Sequence, residues 1–188
     1  MPPLEIPSGL RDGDVALRAL ADSDVDAYVS AFRDDAELGA LLGIEQDPDE
    51  ERLRGRIARM PDALADGRFA ELAIADVSDG RFLGSLTLHA VDWANGRGEL
   101  GFFVVPAERR RGVCRAAVSL ALDWAFGSLG FERVEMTTTP GNAAVAALAE
   151  SLGFVREGVL RSRNLERGRR VDVVWFGLLR DEWSASRT

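Results

Sequence analysis

Between residues 104 and 115 the apolar pair Val104-Val105 meets Pro106. Three arginines follow at Arg109, Arg110 and Arg111, and Gly112 opens a strongly helical segment that begins Val113-Cys114-Arg115. A strand that turns sharply into a helix leaves the first backbone N–H groups of that helix unpaired and aimed at one spot, where the aligned peptide dipoles add partial positive charge. Such a spot suits a phosphate-like anion. The arginines can add charge-assisted hydrogen bonds, and a glycine lets the backbone approach a ligand with no Cβ in the way. The same triplet beside Glu108 also reads as a solvated surface turn. The stretch is neither a GxxxxGK loop followed by Ser or Thr nor a GxGxxG dinucleotide fingerprint, so a third kind of phosphate loop is needed.

The stretch resembles the acetyl-CoA-binding signature of the Gcn5-related N-acetyltransferase (GNAT) family: Gln or Arg, two residues, Gly, one residue, then Gly or Ala. Arg109, Gly112 and Cys114 stand at the three marked positions, with Cys114 where the small residue is usual. Further blocks are similar to the branch that acetylates ribosomal-protein N-termini (RimJ/RimL-like), in the right order. Leu10–Leu20 with Asp22 and Asp24 resembles its opening, and Glu99–Val104 its fourth strand. Asn142 with Leu152–Arg161 is similar to its fourth helix and sixth strand, and Asp172–Trp183 to its closing strand.

The resemblance implies one N-acetyltransferase domain over residues 1–188 with an α/β (α+β) fold. The sheet would be mixed and mostly antiparallel, six- to seven-stranded, with helices on both faces and splayed central strands. It further implies acetyl-CoA as co-substrate and direct transfer of the acetyl group to a primary amine, carried by a protein N-terminus or a small molecule. Phe103 and Val104 would offer main-chain groups to the pantetheine arm, and Arg109, Arg110, Arg111, Gly112, Val113, Cys114 and Arg115 would cradle the pyrophosphate. Asn142 would contact the cofactor arm, although an asparagine there also reads as a helix cap. Homodimers are common in this branch.

For the proton of the attacking amine, Glu99 is the candidate base, because its strand is expected to border both cofactor and acceptor. The opposite reading is a solvent-facing strand glutamate beside Arg97. His89, between Leu88 and Ala90, is second; a lone strand histidine is more often structural. The family's usual acids are not matched: Val145 occupies the serine position, the single tyrosine is Tyr28, and Ser151 near the end of that helix reads as a surface or capping residue. Cys114 sits where a helix N-terminus can lower a thiol pKa, yet this chemistry needs no thiol nucleophile, so packing is its expected role. Two alternatives stay open, a relative using another acyl-CoA and a non-catalytic acyl-CoA-binding module.

Composition agrees with a single soluble domain: 188 residues, 46% hydrophobic and 29% charged. Met1–Pro7 has neither a basic region nor an apolar stretch, and no run approaches the length of a membrane span, so no membrane role and a cytoplasmic location are expected. One cysteine and one histidine give no internal disulfide and no typical metal site. A net charge of −8 argues against nucleic acid and suits an amine-bearing partner.

The elements that must position these residues follow from periodicity. Val15–Arg18 reads as a strand, and Asp22 or Ser23 as the cap of a helix reaching Phe32. Asp34–Asp66 is polar and helix-rich, with a helix over Asp49–Met60, Pro48 near its start and Pro61 breaking it; this region is expected to shape the acceptor side. Phe69–Asp76 and Arg81–Val91 read as strands around the Ser78-Asp79-Gly80 turn, and Asn95-Gly96 leads to a strand over Arg97–Val105. A helix runs from Val113 to near Gly127, a strand over Arg133–Thr139, and an alanine-rich helix from Ala143 to Leu152. Val155–Arg161 and Val171–Leu179 close the sheet across the basic stretch Asn164–Arg170.

Overall fold

Strand β3 (Ala70–Asp76) is buried almost along its whole length, the mark of a central strand covered on both faces. In the computed structural model, which describes residues 1–186 apart from Glu45 and Arg167, β3 lies inside an eight-stranded sheet. The other strands are β1 (Arg11–Asp12), β2 (Val15–Ala19), β4 (Phe82–Asp92), β5 (Arg97–Val104), β6 (Arg133–Thr138), β7 (Val155–Glu166) and β8 (Arg169–Leu179). Their order is β1-β2-β3-β4-β5-β6-β8-β7. Every neighbouring pair is antiparallel except β5 and β6. The mixed, mostly antiparallel sheet is thus the expected one, with the two-residue β1 added at its edge.

Alternation along β3 divides the core. Leu72 and Ile74 point into the larger cluster, under α4 (Val113–Asp123) and α5 (Ala143–Ser151). Ala73 points into a smaller one, with residues of α1 (Val25–Asp34), α2 (Leu38–Leu41) and α3 (Glu50–Ala65). The chain closes with α6 (Arg180–Ser186), whose Trp183 returns to the larger cluster.

Four expectations need correction. Pro61 does not break α3, which continues to Ala65. Losing one backbone hydrogen bond there costs about 3 kcal/mol, but Leu53 and Met60 are buried, and the Leu4 N–H donates to Leu64 O at 2.8 Å, pinning the last turn. Neither Asp22 nor Ser23 caps α1; a short 3-10 turn over Asp22–Asp24 precedes it. Asp24 anchors that turn instead, accepting from Arg18 twice at 2.7 Å and from the Ala21 N–H at 2.9 Å. The stretch read as a basic connection is mostly strand, since β7 runs to Glu166 and β8 starts at Arg169. The closing block is strand only to Leu179; its last residues form α6.

Candidate active site

β5 and β6 run parallel but pair at four positions only, from Arg97↔Arg133 to Leu100↔Met136. Beyond Leu100, β5 continues to Val104 beside β4, while β6 continues to Thr138 beside β8. The wedge between them opens into a cavity of about 720 Å³, within the ~300–1,000 Å³ usual for small-molecule sites. Strand alternation decides which main-chain groups face it. The Val105 N–H donates to Leu83 O on β4 at 2.8 Å, so the main chains of Gly101, Phe103 and Val105 turn towards β4 and those of Phe102 and Val104 turn into the wedge. Phe102 therefore takes the main-chain place expected of Phe103. The Phe103 ring packs edge-on against Tyr28 and Phe32, with centroids 5.0 and 5.4 Å away.

At the far end of the wedge, Gly112 is the N-cap of α4 with φ +80°. The first helical bond runs from the Ala116 N–H to Gly112 O at 3.1 Å, so the N–H groups of Val113, Cys114 and Arg115 precede it and belong to the helix's unpaired first turn. A Cβ on Gly112 would meet nothing within 4 Å, which leaves open space in front of those groups. The arginines divide by role. Arg109, Arg110 and Arg115 line the cavity, whereas Arg111 is ion-paired at 2.8 Å with buried Glu108, which Arg81 also holds at 2.8 Å. Arg111 thus braces the loop from behind rather than lining the cavity. Arg109 donates through Nε to Val104 O at 3.1 Å and pairs through Nη2 with Asp35 at 2.6 Å. Arg115 ties α4 to α5 through Ser151, at 2.7 Å to Oγ and 3.0 Å to the carbonyl.

Asn142 is seen as the N-cap of α5, its Oδ1 accepting the Val145 N–H at 3.2 Å, at a position that lines the cavity. Cys114 lines it too, and burial pushes its thiol up to about 12. The side chain packs against the larger core cluster.

The near end of the wedge gathers the candidate proton acceptors. Glu99 accepts a hydrogen bond from Thr137 Oγ1 of β6 at 2.5 Å. Arg97, its suggested surface partner, instead points to Glu135 and Asp92, at 3.1 and 3.4 Å. His89 on β4 is in direct register with Glu99, which places both side chains on one face. A Cβ on Gly101 would stand 2.8 Å from Thr87 Oγ1 and 3.4 Å from His89 Nε2, so this glycine leaves room for the imidazole. Tyr28 is buried against Glu71, and Ser151 donates to Leu148 O at 2.8 Å; neither lines the cavity. Sequence reasoning missed Glu166, a cavity residue whose carboxyl is raised by burial. Leu38, Leu41 and Leu42, in and just after α2, also line the cavity, within the Asp34–Asp66 segment expected to shape the acceptor side, while Asp35, not singled out beforehand, pairs with Arg109. No local motif marks any of them.

A sheet split beside a helix N-terminus, with Arg109, Arg110 and Arg115 in the lining, is an arrangement suited to a diphosphate-bearing ligand. Residues 14–155 match the family model of the acetyltransferase (GNAT) domain, and the chain belongs to that family. A protein of Bacillus licheniformis named as the uncharacterized N-acetyltransferase p20 is 28% identical over 165 residues, 88% of this chain and 91% of that one. Among solved structures, the spermidine N-acetyltransferase of Vibrio cholerae in complex with CoA and spermine superposes with a TM-score of 0.80. It is 20% identical and covers 92% of this chain and 99% of its own. RimJ of Mycobacterium smegmatis in complex with CoA-disulfide superposes at 0.78, with 21% identity, covering 92% and 89%. The protein is an N-acetyltransferase with acetyl-CoA as co-substrate. The cradle residues fit that molecule: unpaired N–H groups, a glycine without a Cβ and three arginines suit its diphosphate.

Proposed function

We propose that the protein transfers acetyl directly from acetyl-CoA to a primary amine, on a protein N-terminus or a small molecule, with both substrates held in the wedge between β5 and β6. The observation that carries this reading is the wedge itself, with the α4 N-terminus at one end and Glu99 at the other. When bound, acetyl-CoA supplies an activated thioester carbonyl. The N–H groups of Val113, Cys114 and Arg115, with Arg110, hold the diphosphate, and Asn142 faces the arm. Phe102 and Val104 present the main-chain edge that the arm would line. Positioning supplies much of the rate, since holding an amine about 3–3.5 Å from the carbonyl carbon turns a bimolecular encounter into a near-unimolecular step.

An alkylamine arrives mostly protonated, so a base must act. Glu99 takes the ammonium proton, directly or through one water, with the Thr137 hydroxyl fixing its Oε1. As the C–N bond forms the thioester C–S bond breaks, and coenzyme A leaves as the thiol with the second amine proton. Glu166 adds a further carboxylate to the cavity wall, with Arg163 also in the lining. The edge strand β7 exposes Val155, Val159, Leu160 and Leu165, which supports pairing of two copies into a homodimer.

Isothermal titration with acetyl-CoA, followed by thiol release across a panel of peptides, polyamines and other amines, tests the reading. Binding that coenzyme A competes away, with turnover of at least one amine, supports it. No heat at millimolar ligand overturns it, and binding without any turnover identifies an acyl-CoA-binding module instead. Faster release from a longer acyl-CoA reassigns the donor. In the active enzyme, Glu99→Gln is expected to lower kcat about 100-fold with acetyl-CoA affinity kept.

A further inference from the structure

Asp35 is bonded to Arg109 on one side and to the start of α2 on the other, and both line the cavity. It terminates α1 in an extended conformation, its Oδ1 accepts the Glu37 N–H at 3.1 Å, and its carbonyl accepts the Leu38 N–H at 3.0 Å. Those bonds set the start of α2, and Leu38, Leu41 and Leu42 line the cavity. Its other oxygen, Oδ2, lies 2.6 Å from Nη2 of Arg109, the arginine that caps the Val104 carbonyl at the mouth of the splay. The Asp35 side chain is 17% exposed and that of Arg109 41%, so the pair is only partly screened by solvent. Burial alone would raise the Asp35 carboxyl; the bonds from Arg109 and from the Glu37 and Leu38 N–H groups, with the arginine's charge, hold it below its ordinary value.

We infer that Asp35 is a positioning residue that couples the two substrates, restraining Arg109 from the cofactor's diphosphate while it anchors α2 against the acceptor. The inference rests on the acetyltransferase reading of the wedge. Its physical basis is one carboxylate with two dependents. The share of the Arg109 charge compensated by Asp35 is lost to a phosphate in the same cradle, and the hydrogen-bonding edge turned to Asp35 is occupied. Neutralising the carboxylate therefore strengthens the cradle. The same change releases the link between α2 and the loop, so the acceptor wall loses a fixed point. The two effects have opposite signs on the two substrates, which a purely structural residue would not produce.

The test is Asp35→Asn, which keeps an oxygen to accept the Glu37 N–H and removes only the charge, with Asp35→Ser as a second uncharged capping residue. Coenzyme A affinity is read by calorimetry, the amine KM by steady-state turnover, and folding by thermal melting. The coenzyme A Kd is expected to fall about fivefold and the amine KM to rise about fivefold, with kcat within twofold of wild type. Asp35→Glu is expected to return both constants towards wild type. Constants that move in the same direction, or do not move, in whichever uncharged variant folds overturn the coupling while leaving the acetyltransferase reading intact. A wild-type protein that binds no coenzyme A overturns both.

Discussion

The two faces of the sheet are built by different means. Under α4 the core is apolar, with Leu72, Ile74, Leu86, Leu100 and Met136 packed against Ala117, Val118 and Leu122. Under α1 and α3 a smaller cluster around Tyr28, Phe32, Leu53 and Phe103 surrounds a charge. Glu71, 1% exposed, accepts from the Tyr28 hydroxyl at 3.0 Å and from Ser85 Oγ at 2.9 Å. Its Oε2 lies 2.9 Å from Arg56 Nε, and the guanidinium stands over the Tyr28 ring at 5.3 Å. The Arg56 Nε–H is not aligned as a hydrogen bond, and its buried Nη2 has no hydrogen-bond partner among the described residues. Burial, with the neighbouring Glu71 charge, pushes the Tyr28 hydroxyl well above its ordinary range, so it stays a donor. The α4 face therefore rests on area removed from water, whereas the α1–α3 face rests on desolvated polar groups that are costly to leave unmatched.

The largest effect that separates the two faces is expected at Glu71. Glu71→Ala strands Arg56, Tyr28 and Ser85 together and should cost about 3 kcal/mol, a fall in Tm of about 6–12 °C for a chain of this length. Coenzyme A affinity should stay within twofold, because the cradle lies on the other side of the strands. Replacing both partners by Met should recover most of the loss, since a matched apolar pair leaves no stranded charge. Differential scanning calorimetry reads all three proteins. A single mutant that melts like wild type would erase the distinction between the faces.

A smaller effect is expected at the cradle. Gly112 holds φ +80° in open space, so alanine there clashes with nothing and pays only for a left-handed backbone, about 1–2 kcal/mol. The chain can relieve that strain by rotating the peptide groups that face the diphosphate, so Gly112→Ala should weaken coenzyme A binding about 5- to 20-fold, with the amine KM little changed. Gly127 is the control, having equally open space and no positive φ. Its alanine variant should bind as wild type does, and calorimetry that shows equal losses at both positions would sever the cradle from the αL turn.

The same contrast explains what was legible beforehand. The turn into α4 is a local object, written in consecutive residues where an apolar strand stops before Pro106 and Gly112 starts a helix, so its position followed from order alone. The strands from Ala70 to Val104 were legible because two glycine turns, Ser78-Asp79-Gly80 and Asn95-Gly96, separate them. Asp35 and Arg109 stand 74 positions apart by their numbering, and Tyr28 and Glu71 are separated by 43; no periodicity encodes either pair. Pro61 misled because its local cost is real while the packing of Leu53 and Met60 that offsets it is not local. The end of β7 misled because an exposed hairpin needs no apolar alternation: β7 is exposed along most of its length, and its pairing with β8 resumes after an irregularity between Leu160 and Asn164. Arg111 was grouped with its neighbours by type, yet it is paired with Glu108 and is not among the residues that line the cavity.

The smallest effect is expected at Cys114, which joins the apolar face to the cavity. Burial pushes its thiol up to about 12, so at pH 8 its thiolate fraction is about three orders of magnitude below that of a cysteine of ordinary pKa near 8.5. Alkylation by iodoacetamide should be correspondingly slow in the folded enzyme and become ordinary on unfolding. Because the side chain only packs, Cys114→Ala should hold kcat and coenzyme A affinity within about twofold at this partly buried site. Fast alkylation in the folded state would show that the helix N-terminus, not desolvation, governs this thiol. The α4 face would then be electrostatically tuned like the α1–α3 face.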